Sequence, residues 1–207
     1  MKLDIKDIQD GKPIPERFAF GIYDSEEHMV LGRNISPQLR WSGAPKGTKS
    51  FAVVVKDLDA PSVADDVNQE GKTIPEDLER VDFYHWLLVG IPAEVDHIDE
   101  GHDATDVTVG GKAPLRDALG RRGINDYTDF LAQNPGMAGT YGGYDGPCPP
   151  WNDERVHRYV FTVLALDKAT LDLPEEFRGP HLEKAIEGHV LDQASLTATY
   201  TLNPALR

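Results

Sequence analysis

Two histidines and an aspartate in this 207-residue chain stand where strand-like sequence meets a turn. Asp57 ends the apolar run FAVVVKD, His85 lies near the start of FYHWLLVGIP, and His157 opens HRYVFTVLAL. A carboxylate beside an imidazole fixes its tautomer or favours its protonated form. Three such groups on neighbouring strands would make a small pocket suited to an anion. Beside His157 runs Gly146-Pro-Cys-Pro-Pro150, whose prolines stiffen the loop and reduce the entropy lost when a ligand is held. The glycines of Gly139 to Pro150 permit turns whose backbone N–H groups converge on an anion. No Gly-Lys-Ser/Thr follows, so this is not a Walker loop.

Each residue also has a plainer reading. Asp57 and Asp59 fall on one face by strand alternation, and acids before Pro61 commonly cap a turn. Capping or ion pairing suits Asp59, and Arg158 is its simplest partner. A lone histidine between Tyr84 and Trp86 is ordinarily a satisfied core residue; His157 in similar surroundings changes the odds. His157 and Tyr159 share a face, with Arg158 on the other. Ser36 lies in Asn-Ile-Ser-Pro without a nucleophile elbow, which argues against a hydrolase. Asp57, His85 and His157 could hold a metal, but no helical His-x-x-x-His spacing supports one, so no metal or other cofactor is expected.

The elements that would position these residues are mostly strands. Short runs rich in valine, phenylalanine and threonine, separated by 15 prolines and 19 glycines, give a β rhythm. Strands are predicted over Leu3 to Ile8, Ser50 to Asp57, Tyr84 to Ile91, His157 to Leu166 and Leu196 to Leu202. Leu196, Ala198 and Tyr200 share one face of the last. Leu182, Ala185, Ile186 and Val190 follow helical spacing, predicting a helix from Pro180 to Gln193 with Gly188 as its weak point. A shorter helical turn follows Asp126 and stops before Asn134-Pro135. The polar stretch Ser62 to Val81 reads as a surface insertion, placed to lie over the site as a lid or to remain a solvated decoration.

The length suits one domain, residues 1–207, with a sizeable core. With 35 acids against 21 bases the formal charge is −14, which disfavours nucleic acid and anionic membranes as partners. Cys148 is the single cysteine, so no disulfide forms within the chain. The opening MKLDIKDIQDGKPIP has no continuous apolar core and no stretch is long enough to span a bilayer. A cytoplasmic protein without stable membrane insertion is expected.

Five motifs in order carry a resemblance. They are Asn34-Ile-Ser-Pro-Gln-Leu-Arg-Trp41 with Pro45-Lys-Gly-Thr-Lys-Ser-Phe51, then Asp57-Leu-Asp-Ala-Pro61, then His85-Trp86 with Ile91-Pro-Ala93, then Gly143-Tyr-Asp-Gly-Pro-Cys-Pro-Pro150, then His157-Arg-Tyr-Val-Phe161. Over roughly residues 30 to 202 the chain resembles the phosphatidylethanolamine-binding protein family, in its bacterial and archaeal branch; that family includes the Raf kinase inhibitor protein. The resemblance implies a mainly β fold, a β-sandwich of two antiparallel sheets with a few peripheral helices, one of them near the C-terminus. It implies a ligand pocket of Asp57, Ala60, Pro61, His85, Cys148, Pro149, Pro150, His157 and Tyr159, with Asp59 and Arg158 structural. The Ala60–Pro61 bond becomes a candidate for the cis form, and a homodimer is plausible. Two departures stand out: Leu58 replaces the proline of the usual Asp-Pro-Asp, and the bulky, charged Trp151-Asn-Asp-Glu-Arg155 replaces a glycine-rich stretch. The expected function is a non-catalytic binding or regulatory protein for phosphate, a phosphorylated head group or a carboxylate. The alternative is a kinase or protease inhibitor acting through its surface.

Overall fold

A computed structural model describes residues 1–207. The first strands are β1 (Lys2–Ile5), β2 (Gly21–Asp24), β3 (His28–Leu31), β4 (Leu39–Ser42), β5 (Ser50–Pro61) and β6 (Arg80–Pro92). Five short strands follow: β7 (His97–Ile98), β8 (Gly111–Lys112), β9 (Arg116–Asp117), β10 (Gly120–Arg122) and, after helix α1 (Tyr127–Phe130), β11 (Thr140–Tyr141). The chain ends with β12 (His157–Leu166), helix α2 (Gly179–Ile186) and β13 (Val190–Tyr200). The main sheet has the order β13-β12-β5-β6-β10-β9 and is antiparallel throughout. A second sheet, β1-β4-β7, faces it, and two small sheets pair β2 with β3 and β8 with β11.

Alternation builds the two faces of the main sheet. Phe51, Val53 and Val55 turn toward the second sheet, joining Trp41, Trp86, Phe161 and Val163 in a core of 25 buried residues. Ala52, Leu87, Val89 and Leu164 turn the other way and are covered by Phe177 and by Leu182 of α2. Each buried valine, leucine or phenylalanine among them contributes about 1.5–3 kcal/mol by leaving water. No helix is long and apolar enough to cross a membrane.

Several boundaries differ from those read in the sequence. β1 stops at Ile5, with Ile8 joined only by an isolated bridge, and β5 and β6 run on beyond the turns that Asp57 and Tyr84 suggested. The helix expected over Pro180 to Gln193 ends at Ile186, because Gly188 takes a left-handed φ of 74° and reverses the chain. Val190 and Gln193 therefore belong to β13, where pairing with β12 outweighs the helical spacing. Leu196, Ala198 and Tyr200 do share the buried face. The Ala60–Pro61 bond is trans, since no peptide bond is cis. A bulge between Asp57 and Ala60 supplies the bend there instead.

Candidate functional site

Two bulges aim the polar residues. In the β5–β6 pairing, Val55 faces Trp86 and Lys56 faces Tyr84, so His85 is left as the extra residue between them. A bulged residue escapes strict alternation, and its side chain is re-aimed out of the regular pattern. The second bulge, after Asp57, separates two carboxylates that alternation would put together. Asp57 accepts from His157 Nδ1 at 2.6 Å, while Asp59 accepts from Arg158 Nε at 2.8 Å and Arg155 at 3.1 Å. The bulge puts one extra residue into β5, and of the two carboxylates Asp57 alone borders the cavity while Asp59 serves the expected Arg158 ion pair.

Asp57, Ala60, Pro61, His85, Cys148, Pro149, Pro150, His157 and Tyr159 all border one cavity of about 100 Å³. The Tyr159 ring lies between the two imidazoles, its centroid 5.2 Å from that of His85 and 6.5 Å from that of His157. Sequence reasoning missed the rest of the wall: Phe83, Tyr127, Phe130, and Ala64 and Val67 of the stretch after Pro61. Apolar residues thus make most of the surface around a few polar groups.

The two histidines are held differently. His157 is fully buried and both ring nitrogens meet carboxylates, Nδ1 at Asp57 and Nε2 at Asp153, the latter at 3.0 Å. Asp153 in turn takes a bidentate grip from Arg80, at 2.5 and 3.0 Å. Burial alone would lower the His157 pKa, but the two carboxylates outweigh it and raise it to about 9. Asp57, His157, Asp153 and Arg80 form an alternating line of charges whose formal sum is zero.

His85 donates from Nδ1 to the backbone carbonyl of Asp145 at 2.7 Å, and its Nε2 makes no hydrogen bond within the protein. Burial lowers its pKa; Asp57 and Asp145 oppose that shift, and the nearby His157 charge adds to it. The ring is therefore neutral at pH 7, with an acceptor lone pair on Nε2. Burial also pushes the half-buried Cys148 thiol up to about 12, which holds it in the protonated form at neutral pH. The Tyr159 hydroxyl is buried without a hydrogen-bond partner of good geometry, although it lies close to Asp57.

Behind His85 the loop is fixed by a second polar cluster. The Asp145 carboxylate accepts from Asn34 and Asn125 at 2.8 Å each and from Lys112 at 2.9 Å. Asn34 sits in the left-handed region at φ 50° and also accepts from the Gly146 N–H at 2.7 Å. Asparagine tolerates that conformation better than most residues. Gly146 itself is required by space: a Cβ there would stand 1.9 Å from the Phe18 carbonyl oxygen. Asp145 lies inside a motif rich in better-known signals, Gly-Pro-Cys-Pro-Pro, which drew the eye past it. Asp153 and Arg80 are 73 positions apart and carry no mutual signal.

The Trp151 to Arg155 stretch has a use in the fold. Asn152 donates to the carbonyls of Asp66 and Lys72 at 2.8 and 3.1 Å and accepts from Asn68 N–H at 3.0 Å; Asn68 Oδ1 accepts from Trp151 N–H at 3.0 Å. Residues 62–80 are thereby docked on this stretch, and Ala64 and Val67 reach the cavity. Ser36 is fully buried, its hydroxyl accepting from the N–H groups of Asp103 and Ala104, and is not available as a nucleophile.

The family model for phosphatidylethanolamine-binding protein matches residues 4–201. The UPF0098 protein YbhB of Escherichia coli strain K12 is 31% identical over 201 residues, covering 97% of this chain and all of that one. A UPF0098 protein of Methanothermobacter thermautotrophicus is 34% identical over 169 residues, or 82% and 84% of the two chains. Among solved structures, Escherichia coli YbcL, described as a new member of the mammalian PEBP family, superposes with a TM-score of 0.66 at 27% identity over 97% of each chain. A homologue from Chlamydia trachomatis gives 0.62 at 26% identity, over 96% of this chain and 95% of its own. With the family match spanning nearly the whole sequence and the same β architecture, the chain belongs to the phosphatidylethanolamine-binding protein family.

Proposed function

We propose that the chain is a non-catalytic binding protein whose cavity takes a small oxyacid: phosphate, a phosphorylated head group or a carboxylate. The observation that carries this reading is the Tyr159 hydroxyl, buried at the cavity wall close to Asp57 but without a hydrogen bond of good geometry. A buried donor left unpaired costs about 1–3 kcal/mol, and an oxygen of a bound ligand would satisfy it. The cationic His157 ring beside it is balanced by Asp57 and Asp153, and the aromatic and proline wall accepts an apolar substituent. Turnover is disfavoured by the same geometry. The thiol is protonated, Ser36 is occupied, and both nitrogens of His157 are engaged.

Chemical-shift titration of the protein with acetate and with O-phosphoethanolamine tests the reading. Saturable shifts centred on Tyr159, His85 and Cys148 are expected, with affinity about tenfold to a hundredfold weaker in Tyr159→Phe, the loss of one charge-assisted hydrogen bond. Equal binding by wild type and variant, or no binding by either, would remove the cavity from consideration.

A further inference from the structure

The cavity presents a neutral acceptor where an anion-binding site would be expected to present a donor. His85 Nδ1 is committed to the Asp145 carbonyl, whose loop is clamped by Asn34, Asn125 and Lys112, so the ring cannot flip to offer an N–H. Its Nε2 has no partner in the protein. The neighbouring cation, His157, has spent both its N–H groups on Asp57 and Asp153. Asp57 accepts at both oxygens, Oδ1 from the Asp59 N–H at 2.8 Å and Oδ2 from His157, and as a carboxylate it has no donor to give a ligand. What the wall offers a ligand is therefore one hydroxyl donor, Tyr159, and one bare nitrogen lone pair, His85 Nε2.

An ionised oxyacid set against that lone pair would be repelled, oxygen against nitrogen, in a buried setting where unpaired polar atoms are costly. A single proton removes the conflict. We infer that the cavity binds its oxyacid together with one proton, which His85 Nε2 takes up from solvent, so that the site is specific for acids bound as an imidazolium–oxyanion pair. The ligand oxygen then accepts from Tyr159 O–H and from the new Nε2–H, and His85 becomes a donor at both nitrogens.

The surroundings favour the charged ring once an anion is present. Asp57 on β5 and the Asp145 carbonyl on the loop behind support it. His157 on β12 opposes it, and Tyr127, Phe83, Tyr159 and Cys148 bring no charge. The segment over the cavity contributes only Ala64 and Val67. Free of ligand, the ring's burial keeps it neutral; the ligand's negative charge replaces the missing solvation and reverses the balance.

This inference rests on the oxyacid reading above, and the experiment separates the two. Dissociation constants for acetate and for O-phosphoethanolamine are measured by NMR between pH 6.5 and 8, with the His85 ring nitrogens observed directly by 15N shifts. His157 stays charged through that window, so only the proton on His85 is in play. The expected result for acetate is an affinity falling about tenfold per pH unit, as linkage to one proton requires. The His85 nitrogens should move from a neutral Nδ1–H pattern to a doubly protonated one on saturation. O-Phosphoethanolamine loses its own proton near pH ~6, so the same ring signature there identifies a phosphorylated ligand and its absence a carboxylate. His85→Gln, which cannot hold the proton, should bind weakly and without pH dependence across the window. Saturable binding that is flat to pH 8, or a ring that stays neutral when saturated, overturns the inference and leaves the oxyacid reading standing. A steep slope that persists in His85→Gln also overturns it, by placing the proton on the ligand. Absence of any binding overturns both. Should the variant not fold, the ring-nitrogen shifts of the wild type decide alone.

Discussion

The two sides of the cavity solve the same problem, a buried imidazole, with opposite results. On the β12 side His157 meets carboxylates at both nitrogens and is held charged. On the β6 side His85 meets a peptide carbonyl at one nitrogen and nothing at the other, and is held neutral. Asp145 shows how narrow the distinction is. Its carbonyl faces His85, while its carboxylate faces away to Lys112 and the two asparagines. Protonation state here follows from which oxygen a ring touches, and the backbone path of the loop decides that.

The largest effect should come from breaking the cluster behind His85. Asp145→Ala takes the shared carboxylate from Lys112 and two buried amides, leaving them the carbonyls of Tyr144, Gly143 and Asp106. Removing one partner of a buried pair typically costs about 3–5 kcal/mol. Urea unfolding should report a loss of that size with little change in slope. A loss below about 1 kcal/mol would show that the loop does not depend on the carboxylate, and the contrast between the two sides would lose its structural cause.

Next comes the pH dependence of the charged side. The folded pKa of His157 is raised to about 9 against an unfolded value near ~6.5. A raised pKa gives stabilisation that is fully present below about pH 6.5 and disappears as pH rises through about 9. The gap corresponds to roughly 3 kcal/mol. Unfolding free energies at pH 6.5 and 9.5, compared between wild type and His157→Gln, isolate it, and the variant should show the flatter profile. Direct titration of the His157 ring protons should give a midpoint well above that of His85. If His85 titrates higher, the assignment of charge to the two sides is wrong.

Much of this molecule can be read from its residues. Strand β12 has the limits its apolar alternation indicates, and the nine positions of the pocket motifs do border one cavity. What eluded reading has physical causes. A bulge inserts a residue without leaving a mark in composition, so the facing of His85 and the parting of Asp57 from Asp59 were hidden. Helical spacing at Ala185, Ile186 and Val190 could not show that Gly188 would reverse the chain and give Val190 to β13. The Asp153–Arg80 pair joins a stretch that departs from the family pattern to one that looks like decoration, and only folding brings them together.

That docking gives a smaller and more local prediction. Asn152 is buried and satisfies carbonyls of residues 66 and 72 on the segment bearing Ala64 and Val67. Asn152→Ala should cost about 1–3 kcal/mol through the unpaired groups. Because those groups hold one segment and not the core, the cost should appear as local opening. Limited proteolysis should then cut between residues 65 and 73 sooner than in the wild type, with the remaining strands protected. Unchanged cleavage would mean that the Ile74 backbone bridge, the Trp151–Asn68 bond and the two arginines hold the segment without the Asn152 side chain.

The smallest effect on stability, and the one that most sharpens the contrast, belongs to Tyr159→Phe. Tyr159 stands between the two imidazoles, and its hydroxyl lies close to Asp57 without a hydrogen bond of good geometry to either side. Deleting a buried hydroxyl that makes no hydrogen bond removes a desolvation cost and leaves the ring's packing intact. The folded protein should therefore be unchanged or more stable, by at most about 1–3 kcal/mol. A loss of stability would mean that the hydroxyl is partnered, with Asp57 its only near carboxylate. In that case the charged side would own the donor and the cavity would have nothing left to offer an anion but His85. A stable Tyr159→Phe protein with weakened acetate binding places the donor in service of the ligand, which is the arrangement that makes a neutral His85 and a charged His157 parts of one site.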